Sequence, residues 1–364
     1  MNLLACTSSS SSYNSLRPEL EIYISLAKLG HNVTLITNKN SEYLPRLIEH
    51  GIDVIEEPIT KKISLKSIFL IRKIIKSRAI DIVYATNSKS IPNSAFACIG
   101  LNVKLVAYRG TASGLYLHDP SNYLGLFHPR IDGIISVSKY VHDFVCSKKI
   151  LKNKSLIHIY KGHDLGWYTK QPADLSEFGI KKTDFTVVCV INSRPHKGLD
   201  IILKAANLLA DLKNLHLLLV GNGTEKEPYA SLIKNNKIKN NIHVAGYRKD
   251  APELIAASSV LVQPSTSGEG LPRVVLESLA YGTPVIASAN EGSKEIIEDN
   301  FNGYIVPIKN YEEIANRIRD MYNSPEKQQH LIDNSKKVLQ GKMSHQLTVE
   351  KYIQYFESLL ENRH

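Results

Sequence analysis

The segment from Ser259 to Ser288 confines the chain to a narrow set of folds. Ser259-Val-Leu-Val-Gln263 is a short apolar run rich in β-branched residues, and Thr283-Pro-Val-Ile-Ala287 is a second. Short runs of this kind read as buried strands. A helix fits between them, so the unit is strand, turn, helix, strand. Pro272 suits the first helical turn, where its missing N–H costs nothing, and Gly282 suits the C-terminal stop. The Gly268-Glu-Gly270 turn therefore aims free backbone N–H groups at whatever docks on the helix N-terminus. Such a terminus favours an anion, typically a phosphate.

Two carboxylates bracket this anion site: Glu269 in the turn, and Glu277 eight residues on in the helix. A carboxylate accepts two hydrogen bonds at once, so each suits a vicinal diol. An anion site between two diol readers fits a nucleotide-sugar, with diphosphate in the middle, ribose at one end and hexose at the other. Taken singly, each glutamate is a solvated surface residue; the glycine and proline punctuation around them favours the site. Glu269-x7-Glu277 followed by Ala280-x-Gly-x-Pro-Val285 resembles the donor-site signature of the retaining glycosyltransferases of family 4. That resemblance implies a GT-B fold: an α/β chain with two Rossmann-like parallel-sheet domains facing a central cleft. It implies an acceptor-binding domain over 1–165, a donor-binding domain over 166–343, and a last segment, 344–364, crossing back to the first domain.

The bulk properties agree with two soluble domains. A chain of 364 residues is long enough for two cores. No run of about 18 apolar residues occurs, so no transmembrane helix is expected. The N-terminus lacks a basic n-region, so neither is a signal peptide, and a cytoplasmic protein is expected. Cys6, Cys98, Cys146 and Cys189 are scattered and read as buried thiols of a reducing compartment. Charge is uneven: residues 1–165 hold 21 Lys+Arg against 12 Asp+Glu, and residues 166–364 hold 24 against 23. The basic first half points to an anionic partner.

The first half opens as strand, helix, strand: Asn2–Thr7, Leu16–Leu29 and His31–Thr37, with Gly30 ending the helix. Further strands are expected at 52–56, 80–85, 103–108, 133–137 and 156–160. No G-x-G-x-x-G follows the first strand, which counts against a nicotinamide dehydrogenase. The serines Ser8–Ser12 stand there, where the resembled family has a glycine-rich loop. Segment 61–78 carries seven cations and no acid, interleaved with aliphatic residues. It is either a basic amphipathic helix for an anionic membrane surface or a sheet-covering helix with a solvated basic face. Without stacking aromatics it does not suit nucleic acid. Arg109 ends a strand where relatives place a histidine, and it is assigned to the cleft; His118 follows in the loop 111–122. Lys161 and His163 lie in the stretch that resembles the domain junction.

In the second half a linker, 165–184, precedes strands at 185–191, 215–220, 242–245, 259–263, 283–287 and 303–306. Ile191-Asn-Ser-Arg-Pro-His-Lys-Gly198 follows the first of these. Arg194 offers a guanidinium fork and Lys197 a point charge, suited to a diphosphate leaving group; His196 is left without a role. The resemblance places Gly221, Tyr247 and Arg248 around the nucleotide base and ribose; Glu291-Gly292, which follows the strand at 283–287, is a candidate to approach the sugar. Val349, Ile353, Phe356 and Leu360 form one apolar stripe in a terminal helix.

The resemblance implies transfer of a sugar from a nucleotide diphosphate donor to a glycan or lipid-linked acceptor, with retention at the anomeric carbon. Lipopolysaccharide or another envelope polysaccharide, built at the inner membrane face, is the expected product. Arg194, Lys197 and Arg109, with Glu269, form the expected catalytic set. The N–H groups of Gly270 and Leu271, with Glu277, hold the donor. No Asp-x-Asp or ligand-spaced His and carboxylate cluster is present, so no metal and no cofactor are expected. Two other readings stay open: a nucleotide-sugar epimerase of the same fold, and a non-catalytic nucleotide-sugar binding protein.

Overall fold

The computed structural model describes residues 1–7 and 13–361, so the serine run Ser8–Ser12 lies outside the described residues. The chain divides into two compact units, Met1–Gly162 with His345–His364, and His163–Ser344. In the first unit the strands are β1 (Asn2–Cys6), β2 (Asn32–Ile36), β3 (Asp53–Ile55), β4 (Ile82–Ala85), β5 (Lys104–Arg109), β6 (Gly133–Ser136) and β7 (Ser155–His158). They form one sheet in the order β3-β2-β1-β4-β5-β6-β7. Every pairing is parallel; Leu3 of β1 lies beside Val33 of β2 on one side and Ile82 of β4 on the other. Both faces are covered, which is why these strands read as continuous apolar runs rather than alternating ones. One face carries the helices Tyr13–Lys28 and His345–Glu361, with Leu20, Ile24, Tyr352 and Phe356 in a shared core. The other carries Leu65–Ser77, Ser90–Ala97 and Lys139–Cys146, through residues such as Ile71, Ile74, Ala95 and Val145.

The second unit repeats the plan with β8 (Phe185–Val190), β9 (Leu215–Val220), β10 (Ile242–Gly246), β11 (Val260–Gln263), β12 (Val285–Ser288) and β13 (Tyr304–Val306). Their order is β10-β9-β8-β11-β12-β13, again with parallel pairings. In each sheet the order reverses once, at β1/β4 and at β8/β11. Ligands of open α/β sheets bind in the crevice outside the carboxyl ends of the strands at that reversal.

Four local expectations need correction. The loop after β5 contains a short helix, Pro120–Leu124, because Asp119 caps it by accepting from the Ser121 N–H at 2.9 Å. Segment 165–184 is more than a linker: it forms 3-10 turns at Leu165–Trp167 and Leu175–Phe178, and the Ala173 N–H donates to the Glu253 carbonyl at 3.0 Å. Pro272 precedes its helix, which runs Arg273–Tyr281, as the N-cap with extended ψ. Cys146 is exposed, at the C-terminus of its helix, while Cys6, Cys98 and Cys189 are buried.

The reversal in the first sheet holds a half-buried ion pair. Lys161 Nζ donates to Glu19 Oε2 at 2.7 Å and lies 3.8 Å from the centre of the Tyr108 ring. Glu19 Oε1 accepts from Thr7 Oγ1 at 2.6 Å and from Tyr23 Oη at 3.1 Å, and Thr86 Oγ1 donates to Thr7. The cluster thus stitches the ends of β1 and β4 to the first helix. Burial pushes the Glu19 carboxyl up, but the Lys161 ammonium and the surrounding donors outweigh it and hold it below the ordinary value. A depressed carboxylate contributes stability above its ordinary range and loses it as pH falls. Glu19→Gln should cost about 1–3 kcal/mol at neutral pH, because it leaves the half-buried Lys161 ammonium without its charged partner. It should also flatten the acid limb of the stability profile. Urea unfolding between pH 3 and 8 measures both; wild-type stability and an unchanged acid limb would contradict this assignment.

Candidate functional site

The second sheet's reversal gathers the turns that leave β8 and β11. After β8 the chain makes a 3-10 turn at Pro195–Lys197, and Gly198 follows at φ +78°. A Cβ at Gly198 would sit 2.2 Å from the Pro264 carbonyl oxygen, so this turn presses against the one after β11. The Thr266 N–H donates to the His196 carbonyl at 2.8 Å and joins them further. Lys197 Nζ then reaches Glu269 Oε1 at 2.5 Å. Gln263 Nε2 and Ser265 Oγ donate to the same oxygen at 3.0 and 2.8 Å. Glu269 Oε2 carries no hydrogen bond among the described residues.

The turn before Arg273–Tyr281 has the character expected of an anion site. Among the described residues the backbone N–H groups of Gly270, Leu271, Arg273 and Val274 carry no hydrogen bond. Free N–H groups at a helix start leave partial positive charge there. Glu277 is buried one turn into the helix, 3.2 Å from the Arg273 guanidinium. The helix ends at Gly282, φ +83°. The turn is braced from behind by the helix Glu291–Ile296, which Asn290 caps by accepting from the Ser293 N–H at 2.9 Å. Gly292 lies against the turn so closely that a Cβ there would stand 2.5 Å from the Glu269 carbonyl oxygen. Glu291 is turned to solvent and pairs with Lys294 at 2.9 Å.

The other expected residues fall in several places. Arg194 is exposed on the turn of Lys197, and its guanidinium has no partner among the described residues. Gly221 follows β9, and its N–H donates to the Gly246 carbonyl at 2.7 Å, which puts the loops after β9 and β10 side by side. Tyr247 is exposed there. Arg248 has its fork committed: Asp250 takes Nε and Nη2 at 2.8 and 2.7 Å, and Glu177 takes Nη1 and Nη2 at 3.0 and 2.9 Å. Its side chain is a clamp on the loop rather than an open contact. Arg109 belongs to the first unit, at the end of β5. Its Nε donates to the Thr111 carbonyl at 2.7 Å and Nη2 to the Ser113 carbonyl, and burial lowers its pKa from the ordinary arginine value. His118 is exposed and stacks on Tyr116. Lys161 is the partner of Glu19, and His163 Nδ1 lies 2.6 Å from Tyr168 Oη.

Sequence reasoning missed Gln263, Ser265, Arg273 and Asn290. Arg273 could have been found, since residues four apart on a helix are neighbours and Arg273 and Glu277 are oppositely charged. Gln263, Ser265 and Asn290 are single polar residues at strand ends, and only the sheet order brings them to one place.

Residues 170–338 match the family described as glycosyl transferases group 1, and residues 20–167 match glycosyltransferase family 4. The two matches take in most of the chain, which belongs to these glycosyltransferases. The chain is 24% identical over 362 residues to an uncharacterized glycosyltransferase of Haemophilus influenzae, covering 94% of this chain and 95% of that protein. It is 23% identical over 354 residues to the N,N'-diacetylbacillosaminyl-diphospho-undecaprenol alpha-1,3-N-acetylgalactosaminyltransferase of Campylobacter jejuni, covering 88% and 90%. Among solved structures it is similar to Anabaena HepE in complex with UDP-glucose, with a TM-score of 0.80, 20% identity, and 98% and 100% of the two chains covered. The two parallel-sheet units have the GT-B fold.

The contact between Gly292 and the Glu269 turn gives a direct check on the site's construction. Gly292→Ala should destabilise the chain by about 1–3 kcal/mol, the cost of forcing an extra carbon into a packed position. Glu291→Ala, on the exposed neighbouring position, should stay within about 0.5 kcal/mol of wild type. Urea midpoints of the two variants test this, and equal midpoints would show that the turn yields freely.

Proposed function

We propose that the chain transfers a sugar from a nucleoside diphosphate donor to a glycan or lipid-linked acceptor, with retention and without a metal ion, in building lipopolysaccharide or another envelope polysaccharide. The observation that carries this reading is the turn after β11. Unbonded N–H groups at Gly270 and Leu271, the Lys197 ammonium and the Glu269 carboxylate stand there together. The diphosphate docks on those N–H groups and on Lys197, with Arg194 from the same turn as a second cation. Glu277 takes the ribose diol in place of its contact with Arg273. Tyr247 and the backbone at Arg248 and Gly221 border the base. Uridine is the first base to test, since HepE was solved with UDP-glucose.

In the reaction the bond from the anomeric carbon to the β-phosphate oxygen breaks, and its electron pair leaves with the nucleoside diphosphate. The acceptor hydroxyl oxygen forms the new bond, and its proton passes to the departing phosphate. Lys197, Arg194 and the N–H groups stabilise the charge that develops on the leaving group without rearranging, which is where fixed dipoles act most strongly. Glu269 Oε1 already accepts three donors. That supports Glu269 as the group that orients the sugar's hydroxyls through its open oxygen, rather than as a base. The first unit, with Arg109, takes the acceptor. Its basic surface and the diphospho-undecaprenol in the name of the Campylobacter relative support an anionic, lipid-linked one.

Thermal shift against UDP-, GDP- and ADP-sugars in the presence of chelator tests the donor half. The matching donor at a hundred times its Kd should add about 2.7 kcal/mol of stability. Lys197→Ala and Glu277→Ala should each weaken it by about tenfold or more, the loss of a charged hydrogen bond. No shift with any donor would sink the reading. A shift that requires added Mg²⁺ or Mn²⁺ would sink its metal-free part, and free sugar released without an acceptor would favour the epimerase.

The helix Leu65–Ser77 supports contact with an anionic membrane. Its inner face is Ile71, Ile74 and Ile75, while Leu65 and Phe69 are 70% and 67% exposed beside Lys66, Lys73 and Lys76. Among the described residues no helix is long and apolar enough to cross a membrane. Flotation with vesicles containing phosphatidylglycerol should retain the wild-type chain and lose Lys73→Glu/Lys76→Glu, each cation near the surface contributing about 1 kcal/mol. Equal retention of both would remove this surface from the account.

A further inference from the structure

The first unit contains a cavity of about 320 Å³ at the carboxyl ends of β4 and β5. Thr86, Asn87 and Ser88 line it from the turn after β4, and Tyr108, Arg109 and Gly110 from the end of β5. Its floor is aliphatic: Ile91 and Pro92 from the helix Ser90–Ala97, and Leu115 and Leu126 from the segment after β5, all buried. Among the described residues two cations line it, Lys62 and Arg109, and no acidic side chain does. Arg109 uses two of its N–H donors on the Thr111 and Ser113 carbonyls, which leaves the rest of the fork unpaired among the described residues.

A lipid phosphate suits this lining better than a bare glycan. Sugars need many side-chain donors and acceptors, and each amide here has one end engaged. Asn87 Oδ1 accepts from the N–H groups of Lys89 and Ser90, and the Asn122 amide donates to the Gly114 and Tyr116 carbonyls. What remains is hydrocarbon below, the hydroxyls of Ser88 and Ser121 at the side, and above them Arg109 with Lys62, whose charge also acts on Asp119.

The rim has the same two-part chemistry. Asn93, buried in the helix under the cavity, donates to the Lys61 and Lys62 carbonyls at 3.0 and 3.1 Å and accepts from the Ser64 N–H at 2.8 Å. It pins the segment that carries Lys62, so Ile63 and Leu65 are held out to solvent. Across the cavity Tyr116, Leu117, Tyr123 and Leu124 are exposed as well. With Phe69, seven large hydrophobic side chains are exposed within 63–69 and 116–124. Exposed apolar side chains on the two segments that flank the cavity, with lysines beside them, are complementary to an anionic bilayer.

We propose that this cavity seats the lipid phosphate of a membrane-borne acceptor. Its phosphate lies between Lys62 and the open side of the Arg109 fork, and the first part of its hydrocarbon chain lies on Ile91, Pro92, Leu115 and Leu126. The rim enters the headgroup layer, so the acceptor passes from bilayer to cavity without crossing water. The inference rests on the transferase reading above for the word acceptor, and on the cavity alone for the ligand's chemistry.

Calorimetry on the full chain with farnesyl phosphate, farnesol and inorganic phosphate tests it. Farnesyl phosphate should bind about tenfold or more tighter than either half-molecule, since only it satisfies both the cations and the floor. Lys62→Glu, an exposed substitution, should weaken farnesyl phosphate at least about tenfold by reversing a charge at the phosphate. Leu126→Trp should block the floor, and both variants should keep the wild-type stabilisation by nucleotide-sugar. Inorganic phosphate binding as tightly would reduce the cavity to an anion site, and farnesol binding as tightly would reduce it to an apolar hole. Either result, no binding, or indifference to Lys62→Glu overturns the proposal. If farnesyl phosphate binds as expected while no nucleotide-sugar stabilises the wild-type chain, the transferase reading fails and the lipid-phosphate seat stands.

Discussion

Parallel pairing in both sheets imposes the constraint from which the rest follows. Every strand of a parallel sheet leaves by the same edge, so every turn that can carry chemistry collects there, and the single reversal of order opens a gap between two of them. At the β8/β11 reversal the gap is bridged by Lys197 and Glu269, 2.5 Å apart. That contact requires both turns to come close, which Gly198 permits by leaving room for the Pro264 carbonyl. The helix after β11 then starts at the right place to present unbonded N–H groups beside a lysine and a carboxylate.

The two units solve the same problem to different ends. Each places a Lys–Glu pair at its reversal. In the first, Glu19 is saturated by Thr7, Tyr23 and Lys161 and fixes the sheet end to the first helix. Such a pair adds definition to the scaffold and offers nothing to a ligand. In the second, three donors crowd onto one oxygen of Glu269 and the other is open. A half-satisfied carboxylate at the mouth of a helix terminus is costly to a scaffold and useful to a binding site. The difference between the pairs distinguishes architecture from function more sharply than burial or charge does.

Much of this was legible in the residues themselves. Strands buried on both faces announce themselves as apolar runs, so β1 to β13 could be read within a residue or two. The Glu269 turn was legible because glycine and proline have few reasons to stand where they do. Contacts between distant segments were not legible: Lys161 and Glu19 are 142 residues apart. Nothing local marks Gln263 or Ser265 as partners of Glu269. Arg248 looked available because its committed partner Glu177 lies in a stretch read as a linker. Cys146 was read as buried with the other scattered cysteines, and only the packing of its helix shows that it is exposed.

The most direct test of the account is a crystal structure of the chain with a nucleoside diphosphate and a non-transferable sugar analogue. Phosphate oxygens are expected about 3 Å from the N–H groups of Gly270 and Leu271 and from Lys197 Nζ. The ribose diol is expected on Glu277, with Arg273 displaced. A nucleotide bound elsewhere in the second unit, with Lys197 still on Glu269 and no phosphate at the turn, would contradict this placement.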